Sequence, residues 1–180
     1  MLPKAEHVAT LAAVAQAGGK ALLPLVKSAT GIAALDALAA APGVQRLTFG
    51  SIDLQADLGM RDATEDELLC LRTAILLASR RAGIGAPIDG VTTAIDDASR
   101  LQADVQRARR LGFCGKLCIH PKQVRTVNAL FAPSTEEVSW ARRVLDAAAA
   151  AGGAAIAVDG KMVDKPMLLR AESILLEAMT

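Results

Sequence analysis

Residues 112–124, GFCGKLCIHPKQV, decide how the rest of this chain is read. Upstream of them, Asp96 to Leu111 carries helical spacing, and Gly112 breaks it. Lys116 to Ile119 is a short aliphatic run that reads as a strand. His120-Pro121 closes that run, and Pro121 to Phe131 is helical again. Helix, short buried strand and helix in succession form the unit of folds in which parallel strands are joined by helical crossovers.

The same alternation extends in both directions. Upstream, a helix is expected from about His7 to Ala17, then the apolar run KALLPLV (20–26), then a helix from Gly31 to Ala40 ended by Pro42-Gly43. RLTF (46–49) is the next strand, closed by Gly50. Asp62 to Arg81 reads as one long helix, because its acidic start suits the positive end of a helix dipole. Ile84 to Ile88 is a weak strand, with Asp89-Gly90 as its turn. Downstream, Thr135 to Gly152 is helical, residues 158–164 form a small hairpin turning at Asp159-Gly160, and Pro166 to Ala178 is the last helix. Four or five strand–helix units precede the C-terminal helices. Periodicity alone leaves two architectures open, a partial barrel and an open doubly wound sheet. A whole barrel takes ~250 residues, and this chain has 180.

Composition removes several function classes. Aromatic residues are 2% of the chain and hydrophobic residues 52%, so the core is aliphatic and offers no platform for stacking bases. The net charge is +1, from 20 basic and 19 acidic residues, which excludes an electrostatic footprint for nucleic acid. Arg100, Arg107, Arg109 and Arg110 follow helical spacing and read as a solvated helix face. Cys70, Cys114 and Cys118 form no CxxC pair, so neither a zinc site nor a disulfide framework is expected. Reduced thiols and the lack of a signal-peptide core in MLPKAEHV point to a cytoplasmic protein, and the apolar runs are too short to span a bilayer. No glycine-rich phosphate fingerprint follows the first strand.

In α/β folds, chemistry gathers beyond the C-terminal ends of the strands. The residues at those places are Lys4 and Glu6, Lys27, Asp53, Asp89 and His120. In FGSIDLQADLG (49–59), Asp53 and Asp57 lie four apart between two glycines. A carboxylate there suits Mg²⁺, with water and substrate oxygens as further ligands; on spacing alone, an aspartate capping a helix comes first. His120 is either an acid/base or a histidine shaping its loop, and local sequence favours the loop. Cys114 and Cys118 beside it read as small buried apolar residues.

Several of these segments together resemble one family. GFCGKLCIHPKQV, then Val127-Asn128 and FAPSTEEVSWA (131–141), is similar to the closing strand and loop of the citrate lyase beta-subunit family, which includes malyl-CoA and citramalyl-CoA lyases. PKAE (3–6), FGSIDLQADLG and VDGKMVDKP (158–166) match in the same order. The resemblance covers almost the whole chain. It implies an incomplete TIM-type (β/α) barrel of about five strand–helix units with C-terminal helices. It implies Mg²⁺, a CoA-thioester or oxo-acid substrate, and cleavage of a 3-hydroxyacyl-CoA to an acyl-CoA and an oxo-acid. It places Asp53 on the metal's aspartate ligand. It makes Asp164 and His120 the candidate catalytic residues, with Asp164 serving a neighbouring subunit's site. Lys4, Gly115, Lys116 and Pro121 are then candidate substrate-binding residues.

The sequence departs from the family's pattern in two ways. The family's metal-binding glutamate lies in a segment like L-I-E-T-A-R-G; here the segment is LVKSATG (25–31), so Lys27 occupies the position of the second ligand and Thr30 that of an arginine. An ammonium cannot ligate Mg²⁺. The resemblance also starts near the family's fourth strand, so an N-terminal half-barrel is expected elsewhere: in a partner chain, in a second copy of this one, or in a lost segment. An alternative follows, in which the chain is an inactive or truncated relative acting as a binding or assembly module. The expected organisation is one domain over 1–180, with residues 153–180 extending to a subunit interface in a homo-oligomer.

Overall fold

The computed structural model describes residues 1–151 and 156–179. Gly152, given to a helix above, and the first residues of the 153–180 extension lie outside the described residues. The described chain divides into two compact units, Met1–Phe131 and from Ala132 onward, where the sequence reading took one domain with an extension from 153. The division falls earlier because the C-terminal elements bury a core of their own.

The first unit is a parallel sheet with helical crossovers. Its strands are β1 (Leu25–Val26), β2 (Thr48–Phe49), β3 (Ile88–Asp89) and β4 (Gly115–Lys116). They lie side by side in chain order, all parallel. A parallel bridge from Leu2 to Pro24 adds the chain's start as a fifth position. Order without reversal is that of a (β/α) barrel wall; a doubly wound sheet reverses at a switch point. The fold is an incomplete TIM-type barrel, whose sheet does not close among the described residues.

The crossovers are α1 (Val8–Gln16), α2 (Ala29–Ala33) with α3 (Leu35–Ala39), α4 (Ser51–Asp57) with α5 (Leu69–Arg81), α6 (Ala98–Leu111) and α7 (Pro121–Phe131). Ser28 caps α2 by accepting from Gly31 N–H at 3.2 Å. Asp97 caps α6 by accepting from Arg100 N–H at 2.9 Å. Gly112 ends α6 at φ +100°, in the left-handed region that favours glycine. Leu11, Leu38, Leu47, Phe49, Leu54 and Ile75 are fully buried between helices and sheet.

Four sequence expectations shift. The helix drawn over Gly31–Ala40 breaks at Ala34 into α2 and α3. The helix drawn from Asp62 begins at Leu69: Glu67 accepts from Thr64 N–H at 2.7 Å in a local turn, and Glu65 is taken up by arginines. Asp89 sits in strand β3, fully buried, rather than in a turn. Strand β4 starts at Gly115, one residue earlier than drawn, and ends at Lys116, three residues earlier.

The second unit holds α8 (Thr135–Ala150), the hairpin β5 (Ile156–Val158) and β6 (Lys161–Val163), and α9 (Lys165–Glu177). Ser134 and Glu137 close a capping box on α8. Ala141, Val144, Ala171 and Ile174 form the unit's buried core. The Asp159-Gly160 turn and the final helix lie where the sequence put them. No helix among the described residues is long and apolar enough to cross a membrane.

Candidate functional site

Strand register fixes what lines the rim. Val26, Phe49, Asp89 and Lys116 form one row across the sheet, on the side of the helices. Lys27 and Gly50, the residues just beyond β1 and β2, belong to the opposite row. A side chain at Gly50 would collide with Cβ of Lys27, and one at Gly90 would collide with Ser51 Oγ. Both glycines therefore leave room at the strand ends.

Lys27 and Asp53 meet there. Lys27 Nζ lies 2.8 Å from Asp53 Oδ1, with the lysine side chain 25% exposed and the aspartate 57%. Asp53 sits in the first turn of α4, whose N-cap is Gly50, so it does not cap the helix. Around the pair, Ser28 Oγ donates to Glu6 Oε1 at 2.6 Å and Ala29 N–H donates to Asp57 Oδ2 at 2.7 Å. Lys4 Nζ is 3.9 Å from Glu6. Residues following three successive strand positions thus converge on one rim: Lys4 and Glu6, Lys27 and Ser28, Asp53 and Asp57.

This rim does not fit a divalent ion. One oxygen of Asp53 already accepts from an ammonium. Among the described residues, no group of three or more His, Cys, Asp or Glu is placed to hold a metal.

The other candidates take different places. Lys116 is enclosed, its side chain 1% exposed, and Nζ donates to Gly90 O at 2.6 Å, 3.9 Å from Asp89. A ligand cannot reach that ammonium from the rim; Gly115 and Lys116 are strand residues of β4. His120 Nδ1 accepts from Lys122 N–H at 3.2 Å, and Pro121 opens α7. Their side chains shape the start of that helix. Asp164 belongs to the second unit, where it caps α9 by accepting from Met167 N–H at 3.0 Å. That unit also carries an open cavity of about 750 Å³, lined in part by Thr135, Ser139, Arg142 and Asp146. None of the candidate residues lines it.

Behind the rim lies a buried ionic network that sequence reading did not assemble. Arg72 Nε donates to Asp89 Oδ1 at 2.8 Å, with both side chains almost wholly enclosed, and the guanidinium stacks on Phe49 at 5.3 Å. Glu65 pairs with Arg72, Arg100 and Arg107. Asp104 accepts from Thr92 Oγ1 at 2.7 Å and pairs with Arg100 and Arg107. Arg107 is therefore drawn into the network and largely covered, while Arg100, paired with Glu65 and Asp104, keeps half of its side chain in solvent. Burial works to raise the Asp104 pKa, but the Thr92 hydrogen bond and the nearby Lys116 and Arg107 charges outweigh it and hold it low. Burial drives the Lys116 pKa down, against the pull of Asp89 and Asp104. The missed signal was Arg72 itself, a charged residue on the buried face of α5 with Leu68, Ile75 and Ser79. A charge at such a position calls for an enclosed partner.

Comparison with known proteins gives a consistent result. A family model described as HpcH/HpaI aldolase/citrate lyase matches residues 6–121, and one described as a C–C bond lyase of the TIM-barrel fold matches 70–180. A citrate lyase subunit beta-like protein of Deinococcus radiodurans is 38% identical over 97% of this chain and 64% of its own length. An L-malyl-CoA/beta-methylmalyl-CoA lyase of Cereibacter sphaeroides is 34% identical over 86% of this chain and 55% of its own. The crystal structure of CitE from Mycobacterium tuberculosis, in complex with magnesium, acetoacetate and coenzyme A, superposes with a TM-score of 0.86. It is 35% identical and covers 100% of this chain, which covers 68% of it. This chain spans just under two thirds of the length of the first two citrate lyase beta-like relatives.

Proposed function

The chain belongs to the HpcH/HpaI aldolase/citrate lyase family, and from that premise we propose that its strand-end rim serves carbon–carbon cleavage of a 3-hydroxyacyl-CoA thioester. The products are acetyl-CoA, or another acyl-CoA, and an oxo-acid. The observation that supports this reading is the convergence of Lys27, Asp53, Glu6 and Ser28 beyond the C-terminal ends of successive parallel strands. Barrels of this type carry their active sites there.

Within this reading, Lys4 flanks the substrate entrance, and the backbone of Gly115, Lys116 and the His120-Pro121 turn borders it. Asp164 acts as an acid/base toward the thioester's α-carbon in a neighbouring copy, which makes the working form an oligomer or a complex with a partner chain. Magnesium goes with the family, as in solved relatives, and would supply charge stabilisation at the oxygen of the bond being broken. In this chain the Lys27 ammonium on Asp53 stands where the ion would be held.

The Lys27–Asp53 ion pair favours a second reading, a non-catalytic relative that keeps the scaffold as a binding or assembly module. Incubation with malyl-CoA and beta-methylmalyl-CoA, with released oxo-acid trapped as its phenylhydrazone, decides between them. Release above the enzyme-free rate supports the lyase; its absence under all conditions supports the module.

A further inference from the structure

We propose that the Lys27 ammonium is the cation of this rim, and that the rim takes the carboxylate of a small oxo-acid with no divalent ion present. The proposal rests on the reading of the rim as an oxo-acid site. A divalent ion on two carboxylates leaves a locally neutral cluster. Lys27 on Asp53 is also neutral, one ammonium against one carboxylate 2.8 Å away. The cation that an incoming carboxylate needs is therefore already covalently in place.

The geometry leaves that ammonium usable. Nζ has three donors, and one goes to Asp53 Oδ1. The side chain is three-quarters enclosed but not sealed. The acids beside it are each engaged by a donor: Glu6 by Ser28 Oγ, Asp57 by Ala29 N–H. Neither takes a hydrogen bond from Nζ, which goes to Asp53. Gly50 keeps the place open, since any larger residue there would strike Lys27. Stability gives little reason for the arrangement, because an ion pair with one partner more than half exposed contributes little to folding. A divalent ion is disfavoured at the same point, as the ammonium cannot ligate it and its charge repels it.

Isothermal titration of pyruvate and of acetoacetate into the full chain tests this, first in excess EDTA and then with Mg²⁺. The expected result is the same affinity in both buffers. Lys27→Met then weakens binding about tenfold or more in EDTA, the scale of a lost hydrogen bond to a charged group, and Lys27→Glu binds only with Mg²⁺. Binding by the unaltered chain that requires Mg²⁺ overturns the inference and leaves the oxo-acid site standing. Unchanged binding in a folded Lys27→Met chain overturns it as well. No binding of either oxo-acid in either buffer overturns both the inference and the oxo-acid reading. The comparison of buffers needs no variant, so a misfolded substitution does not obscure the outcome. Failure of thioester cleavage with binding intact counts against the lyase alone.

Discussion

Arg72 and Lys116 flank the same carboxylate, Asp89, yet they carry unequal weight. Arg72 makes the direct 2.8 Å contact, while Lys116 stays 3.9 Å away and donates to a carbonyl. Arg72→Ala leaves Asp89 enclosed without its hydrogen-bonding cation, a change that costs about 3–5 kcal/mol when a buried pair is broken. Lys116→Met keeps the Arg72 pair and removes a charge that burial already penalises, so its loss in urea denaturation is expected to be smaller. The two also differ with pH. The folded-state pKa of Lys116 is lowered, with burial the largest cause. Between that lowered value and the ordinary lysine value, the unfolded chain binds more protons, so this group's contribution to stability rises with pH there. Below the lowered pKa both states are protonated and the dependence vanishes. Denaturation midpoints measured from neutral to alkaline pH are expected to show less alkaline rise in Lys116→Met than in the unaltered chain; identical profiles would remove Lys116 as its source.

At the scale of elements, the rim exists because strand ends and glycines agree. Gly50 follows β2 and Lys27 follows β1, and the two face each other across neighbouring strands. Gly50→Ala is expected to push Lys27 aside and cost about 1–3 kcal/mol, the range for overpacking, read as a lower urea midpoint. Much of this was legible in the sequence. Short aliphatic runs ended by glycine or His-Pro located β2 and β4 closely enough to put Asp53 and His120 beside strand ends. LVKSATG put a lysine across from Asp53, and the 2.8 Å contact bears out that juxtaposition. What was illegible depended on partners distant in sequence. Asp62–Leu68 has the acids of a helix start, but Glu65 is recruited by Arg72 of α5 and by Arg100 and Arg107 of α6. Local propensity carries no information about such long-range pairing, so sequence alone makes α5 too long and reads Asp89, a strand residue bound to Arg72, as a turn. The His120 ring accepts from Lys122 N–H at the start of α7.

For the molecule as a whole, the four strands leave a problem that chemistry at the rim does not solve. Parallel sheets are normally covered on both faces, and an unpaired strand edge is a site for association. Strand β4 pairs with β3 on one side and has no strand on its other side among the described residues. Just beyond it, Ile119 is half exposed. In the second unit Met162, Leu169 and Leu176 are each more than half exposed. Apolar surface of this kind in both units is what self-association or a partner chain would cover. Sedimentation of the 18.6 kDa chain at micromolar concentration is expected to give a particle larger than the monomer. Ile119→Lys, which places a charge next to the open edge and leaves the β3–β4 pairing intact, is expected to shift that particle toward the monomer without lowering the urea midpoint. A strictly monomeric unaltered chain would remove the neighbouring copy on which the proposed part of Asp164 depends, and the chemistry at the rim would have to be carried by Lys27 and Asp53 alone.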